Sequence, residues 1–183
     1  MANVEGKATA ITVVTPVRRG GALWLWLVFW AGRNITATLE KLEQLSFIHY
    51  ARWALIKRFP GGSSGERLHY DYLFFESNFN GTWDQYIDAF SEVVPLRMKA
   101  IWSTSFGFPG PLPVEPFKAY IRRNEYVANH YWSAYPGATT TEIVSAGRVA
   151  AALDDFRRAS SELEPDEFKA AYGRFLTSVQ QDL

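Results

Sequence analysis

The chain predicts an α+β domain: a four-stranded antiparallel sheet in the order β-α-β-β-α-β, with additional helices after the last strand. Three observations carry that expectation. Segments rich in β-branched and aromatic residues alternate with helix-start signals in that order. Two capping boxes, Thr82–Gln85 and Thr139–Glu142, mark helix starts sharply. An apolar fraction of 48% over 183 residues is enough for one sizeable core. We read residues 1–183 as a single domain, with a sheet-containing core over 9–136 and C-terminal helices over 138–183.

Thr9–Val17 reads as the first strand, broken by Arg18, Arg19, Gly20 and Gly21. The run Ala22–Ala31 (ALWLWLVFWA) then holds no polar residue. Its flanking glycines favour a helix, although a buried strand has the same pattern. The run is shorter than the roughly 20 apolar residues a membrane span needs, and a one-faced helix would interleave polar positions. Something must therefore cover its second face: the sheet with a neighbouring helix, a second subunit, a ligand or a membrane surface.

Asn34 suits the cap of a further helix through Leu45. Ser46–Arg58 and Arg67–Ser77 are strand-like, and the Gly/Ser-rich stretch from Phe59 to Glu66 between them suits a hairpin loop. Asn80-Gly81 is a tight turn into a helix through Phe90, Val93 and Val94, which Pro95 ends or kinks, with Leu96–Trp102 as a short continuation. Phe106–Pro116 is a Pro/Gly loop whose apolar side chains should lie against the body as a flap. Pro116–Arg123 suits a short helix and Tyr126–Ala134 the fourth strand. Helices from Thr139 to about Arg158 and from Pro165 through Val179 close the chain. This order is the split βαβ, or ferredoxin-like, arrangement.

Composition bounds function. Lys+Arg and Asp+Glu balance at 19 each, with no basic stripe, which argues against a nucleic-acid partner. The chain has no cysteine, so disulfides, thiolate nucleophiles and sulfur-ligated metal sites are excluded. No HxH or HExxH metal spacing, GxGxxG, P-loop or GxSxG elbow occurs. No cofactor is therefore expected from motifs. Met1–Ala10 is polar and lacks a signal-peptide core, so a cytoplasmic protein is expected.

The aromatic fraction of 16%, with 7 Trp, 9 Tyr and 13 Phe, suits either a heavily packed core or a cavity for a planar apolar molecule. All three histidines precede a tyrosine, as His49-Tyr50, His69-Tyr70 and His130-Tyr131, within expected strands. Strand alternation then sends one ring of each dipeptide inward. A strand histidine is most simply a hydrogen-bonded structural residue. In a cavity it would serve general acid–base chemistry near neutral pH. The candidate catalytic residues are His49, His130, Arg52 and Glu76, and the candidate ligand-binding residues are Trp26, Trp30, Tyr50, Trp53, Tyr131 and Trp132.

Three segments, Ile48–Trp53, Tyr72–Gly81 and Tyr131–Gly137, resemble bacterial proteins of the dimeric α+β barrel superfamily, some associated with dye-decolorising-peroxidase-like sequences. The similarity runs from about Thr9 to Ser145 and rests on strand ends and turns. It implies the fold, a homodimer, and a range of activities that share no residue set. These include cofactor-free monooxygenases, polyketide cyclases and haem enzymes, although the peroxidases' acidic–arginine signature is absent here. Three functions follow as expectations. The first is binding of a small apolar molecule, with cofactor-free cyclisation, isomerisation or oxygenation. The second is a partner- or membrane-surface-binding domain using the Trp-rich helix. The third is a haem-dependent peroxidase-like protein.

Overall fold

The computed structural model describes residues 3–34, 45–58 and 68–183. The helix expected from Asn34 to Leu45 and the loop expected over Phe59–Glu66 fall in stretches outside them. The chain divides into two compact units, Met1–Gly137 and Ala138–Leu183.

The first unit is an α+β layer built on one antiparallel sheet. Its strands are β1 (Val4–Glu5), β2 (Ala8–Val17), β3 (Ile48–Ile56) and β4 (Asp71–Asn80), in the order β1-β2-β4-β3. The register sets Thr12 opposite Glu76, and Glu76 opposite Arg52. The two-residue alternation of the pleat then sorts the side chains. Ile11, Val13 and Val17 from β2, Leu73, Phe75 and Phe79 from β4, and the half-buried Trp53 from β3 meet the helices. Thr12, Glu76 and Arg52 turn the other way.

Four helices belong to this unit among the described residues. They are α1 (Gly21–Asn34), α2 (Trp83–Val93), α3 (Pro95–Trp102) and α4 (Val114–Asn124). The apolar run after Gly21 is thus helical. Asn34 is its last described residue, and its side-chain amide donates to the Trp30 carbonyl at 2.7 Å. Helix α2 begins with the expected capping box: Gln85 N–H donates to the Thr82 hydroxyl, and Thr82 N–H to the Gln85 side chain. Pro95 ends α2 and opens α3, because it has no N–H to give the preceding turn.

Aromatic rings fill the interior. Phe79 stacks on Tyr86 at 4.0 Å, and the Phe75 ring meets Trp102 edge-on at 5.2 Å. Phe108 of the Pro/Gly loop seats against Phe117 and Tyr120 at 5.9 and 5.8 Å, so the loop packs on the body. Each fully buried ring contributes about 1.5–3 kcal/mol of transfer free energy.

One strand is corrected. Tyr126–Ala134 forms no strand; after a single bridge, Glu125 to Val13, the segment leaves the sheet. The edge of β2 that it would occupy is shared among shorter partners. Residues Val4 and Glu5 pair with Thr9 and Ala8, and Val17 bridges to Ser105. The segment is then held by separate bonds: Tyr126 N–H to Thr12 O, Ala128 N–H to Asn3 Oδ1, and Ser133 N–H to a Glu5 carboxylate oxygen. Lys7 N–H also donates to Pro136 O at 2.7 Å. The hairpin turn there requires glycine twice over. Gly6 has φ 58°, and a Cβ on it would lie 2.2 Å from Pro136 O. Strand β1 is too short, and its turn too polar, to stand out as a strand in the sequence.

The second unit is a helical pair, α5 (Thr140–Ser160) and α6 (Pro165–Val179). Thr139 and Glu142 form the capping box at the start of α5, and Pro165 occupies the first turn of α6. Its seam is aromatic: Phe156 meets Phe168, Tyr172 and Phe175 at 5.5, 5.9 and 5.2 Å. Asp182 ties the end of the chain back to α5 by accepting from the Ser145 hydroxyl at 2.8 Å.

Candidate functional site

Helices α1 and α3 pass each other in opposite directions over the sheet. Gly21 lies against Thr104, where a Cβ would meet the threonine Cβ at 2.8 Å. One turn on, Trp24 Nε1–H donates to Ala100 O at 2.7 Å. The helices thus touch closely at this end, which glycine makes sterically feasible. Along the rest of their length they leave a cavity of about 690 Å³. Trp24, Val28 and Phe29 of α1 face Met98 and Ile101 of α3 across it, with Trp53 of β3 among its lining. Two lining residues are cationic, Arg33 and Arg97.

The volume lies within the roughly 300–1,000 Å³ of ordinary small-molecule sites. The buried Trp53 Nε1–H has no hydrogen-bond partner among the described residues. The Trp53 indole is also stacked at a tilt on Phe75 at 5.1 Å, which holds its plane.

The residues singled out from sequence separate into three places. Trp53 lines the cavity. Trp26 and Trp30 lie on α1 but project outward, 57% and 53% exposed. The third group sits on the opposite face of the sheet. There the Arg52 guanidinium grips Glu76 through Nε at 2.7 Å and Nη2 at 2.5 Å, and the Tyr50 hydroxyl donates to Glu76 Oε1 at 3.2 Å. Burial first, then the Glu76 charge, pushes the Tyr50 phenol above its ordinary range. Tyr131 is raised as well, by burial and then by the charge of Glu5. The register alone brings Arg52, Glu76 and Tyr50 together, because all three are on one face of adjacent strands.

The histidines do not join any of these groups. His49 is exposed at the β3 irregularity between Ile48 and Tyr50. His69 lies just before β4, its ring edge-on to Tyr70 at 4.5 Å, and is also exposed. His130 is exposed in the segment that leaves the sheet, as is Trp132 at 68%.

Two features escaped sequence reasoning. The α3 half of the cavity did, because Arg97, Met98 and Ile101 read as an ordinary short helix. The other is Glu125, whose half-buried carboxyl accepts from Trp83 Nε1–H at 2.9 Å. Burial raises its pKa above the usual carboxylate range, against the lowering effect of that bond and of Arg122. A glutamate directly after a basic helix end gave no hint of burial. Among the described residues no group of His, Asp and Glu could hold a metal ion, and no helix is long and apolar enough to cross a membrane.

The geometry has to stand by itself. Comparison with known protein families, with curated proteins and with solved structures finds no match.

Proposed function

We propose that the protein binds a small apolar or planar molecule between α1 and α3, on a ferredoxin-like fold of the dimeric α+β barrel kind. The cavity itself carries this proposal: about 690 Å³, walled by Trp24, Val28, Phe29, Met98 and Ile101. A molecule with a flat apolar body matches that lining. Binding rather than turnover fits best. Among the described residues the lining carries no carboxylate or histidine that could act as a base. Tyr50, Arg52 and Glu76 lie on the other face of the sheet, away from any confined substrate. Among the described residues the lining offers haem iron no histidine, cysteine or tyrosine, which favours an apolar organic ligand.

Gly32 provides the test. It lines the cavity, and a Cβ added to it meets nothing within 4 Å, so Gly32→Leu fills space without disturbing the helix. The neutral dye N-phenyl-1-naphthylamine should bind the protein saturably with a rise in its fluorescence. Gly32→Leu should weaken that binding by about tenfold or more, which corresponds to about 1.4 kcal/mol. Absence of saturable binding, or equal binding by the variant, removes the proposal.

A further inference from the structure

We infer that the outward face of α1 docks on an anionic lipid bilayer. Leu23, Trp26, Leu27 and Trp30 recur at three- and four-residue spacing, which puts them in one stripe along the helix. They are 67%, 57%, 44% and 53% exposed, whereas Leu25 on the opposite side is 0% exposed. A contiguous apolar surface of this kind marks an interaction site.

The charges around it choose the partner. Arg18 and Arg19 precede α1, Arg33 ends it, and Arg97 and Lys99 lie on α3. Neither the stretch Val17–Asn34 nor Val94–Phe106 contains an Asp or Glu, although acidic and basic residues balance at 19 each over the chain. A second copy seated on this face would bring its own arginines against these, so self-association is opposed by like charge. An anionic bilayer satisfies both halves of the pattern: hydrocarbon for the stripe, phosphate for the rim.

The tryptophans point the same way. Trp24 spends its N–H on Ala100, but those of Trp26 and Trp30 have no hydrogen-bond partner among the described residues. An indole with an apolar body and a free N–H belongs at headgroup depth. At 14 residues, α1 is about 21 Å long, so it lies in the interface rather than across it. The shallow surface at its N-terminal end is lined by Arg18, Arg19, Gly21 and Thr104 among others. The cavity lies between these same two helices. The docking surface nonetheless stands without the cavity.

The experiment is sedimentation of the purified protein with vesicles of phosphatidylcholine alone and of phosphatidylcholine mixed with phosphatidylglycerol, with light scattering of the free protein alongside. The wild-type chain should sediment with the mixed vesicles, fail to do so with phosphatidylcholine alone, and be released by high salt. Trp26→Ser with Trp30→Ser should abolish sedimentation with the melting curve unchanged, and Arg18→Gln with Arg19→Gln should weaken it severalfold. Should the tryptophan pair fail to fold, wild-type tryptophan fluorescence in mixed vesicles carrying brominated lipid serves instead, and quenching is expected. No sedimentation with mixed vesicles, equal sedimentation by a folded tryptophan variant, or absent quenching overturns the inference. So does a dimer that the tryptophan substitutions dissociate, which would give the face to a second copy.

Discussion

Leu25 and Leu23 sit two residues apart on the same helix, one fully buried and the other 67% exposed. Nothing in their local sequence distinguishes them, since α1 is apolar on every side. The inner face packs on the sheet and bounds a cavity; the outer face packs on nothing described. The difference teaches that burial here is decided by position around the helix axis and by what the sheet offers, while residue type is indifferent to it. An apolar outer face is then a feature to be explained, because folding of the unit does not require it.

Substitutions can break or sharpen that contrast. Leu25→Ala should lower stability by about 2–5 kcal/mol in urea denaturation, and Leu23→Ala should change it by no more than about 0.5 kcal/mol. Equal effects would show that the outer face is covered after all. Gly6→Ala should cost about 1–2 kcal/mol or more, from the left-handed backbone and the close Pro136 carbonyl together. Outside the core the effects shrink. Arg52→Ala should cost no more than about 1 kcal/mol, because the guanidinium is 65% exposed and water screens its pairing with Glu76.

The smallest effect is a dependence on pH. Burial raises the Glu125 pKa, so its charged form is disfavoured in the folded state relative to the unfolded one. At neutral pH the charged carboxylate therefore costs stability, and that cost fades as pH falls through its raised titration range. Glu125→Gln, which keeps an oxygen for Trp83, should melt slightly above wild type at neutral pH, with the gap closing in acid. A gap that widened in acid would reverse the assigned cause.

Much of the architecture was legible in the residues. Side-chain capping at Thr82 and Thr139 is a local interaction, and local interactions survive from sequence to structure. Strands β2, β3 and β4 carry enough β-branched and aromatic residues to declare themselves. The failure at Tyr126–Ala134 has a physical origin: its aromatic pattern suits a strand, but strand formation needs a free partner edge, and that edge is already divided among Val4, Glu5 and Ser105. The candidate site was legible only in Trp53. A cavity arises where two helices diverge, and that depends on a close approach at Gly21 and Thr104, distant in sequence. Of the Arg52–Glu76–Tyr50 group, a bond from Arg52 to Glu76 across the hairpin is legible from the two strands, and the register adds Tyr50.

The bonds that hold the segment after α4 carry a kinetic consequence. Glu5 waits for Ser133 across 128 positions, and Lys7 and Asn3 likewise wait for Pro136 and Ala128. Loop closure over such separations is slow compared with forming local turns. During synthesis the Val4–Glu5 edge therefore stays unlatched until the ribosome has released the chain through Gly137. For that interval the first strand pair presents a free edge to its surroundings, so the segment works as a late fastening rather than as part of the folding nucleus.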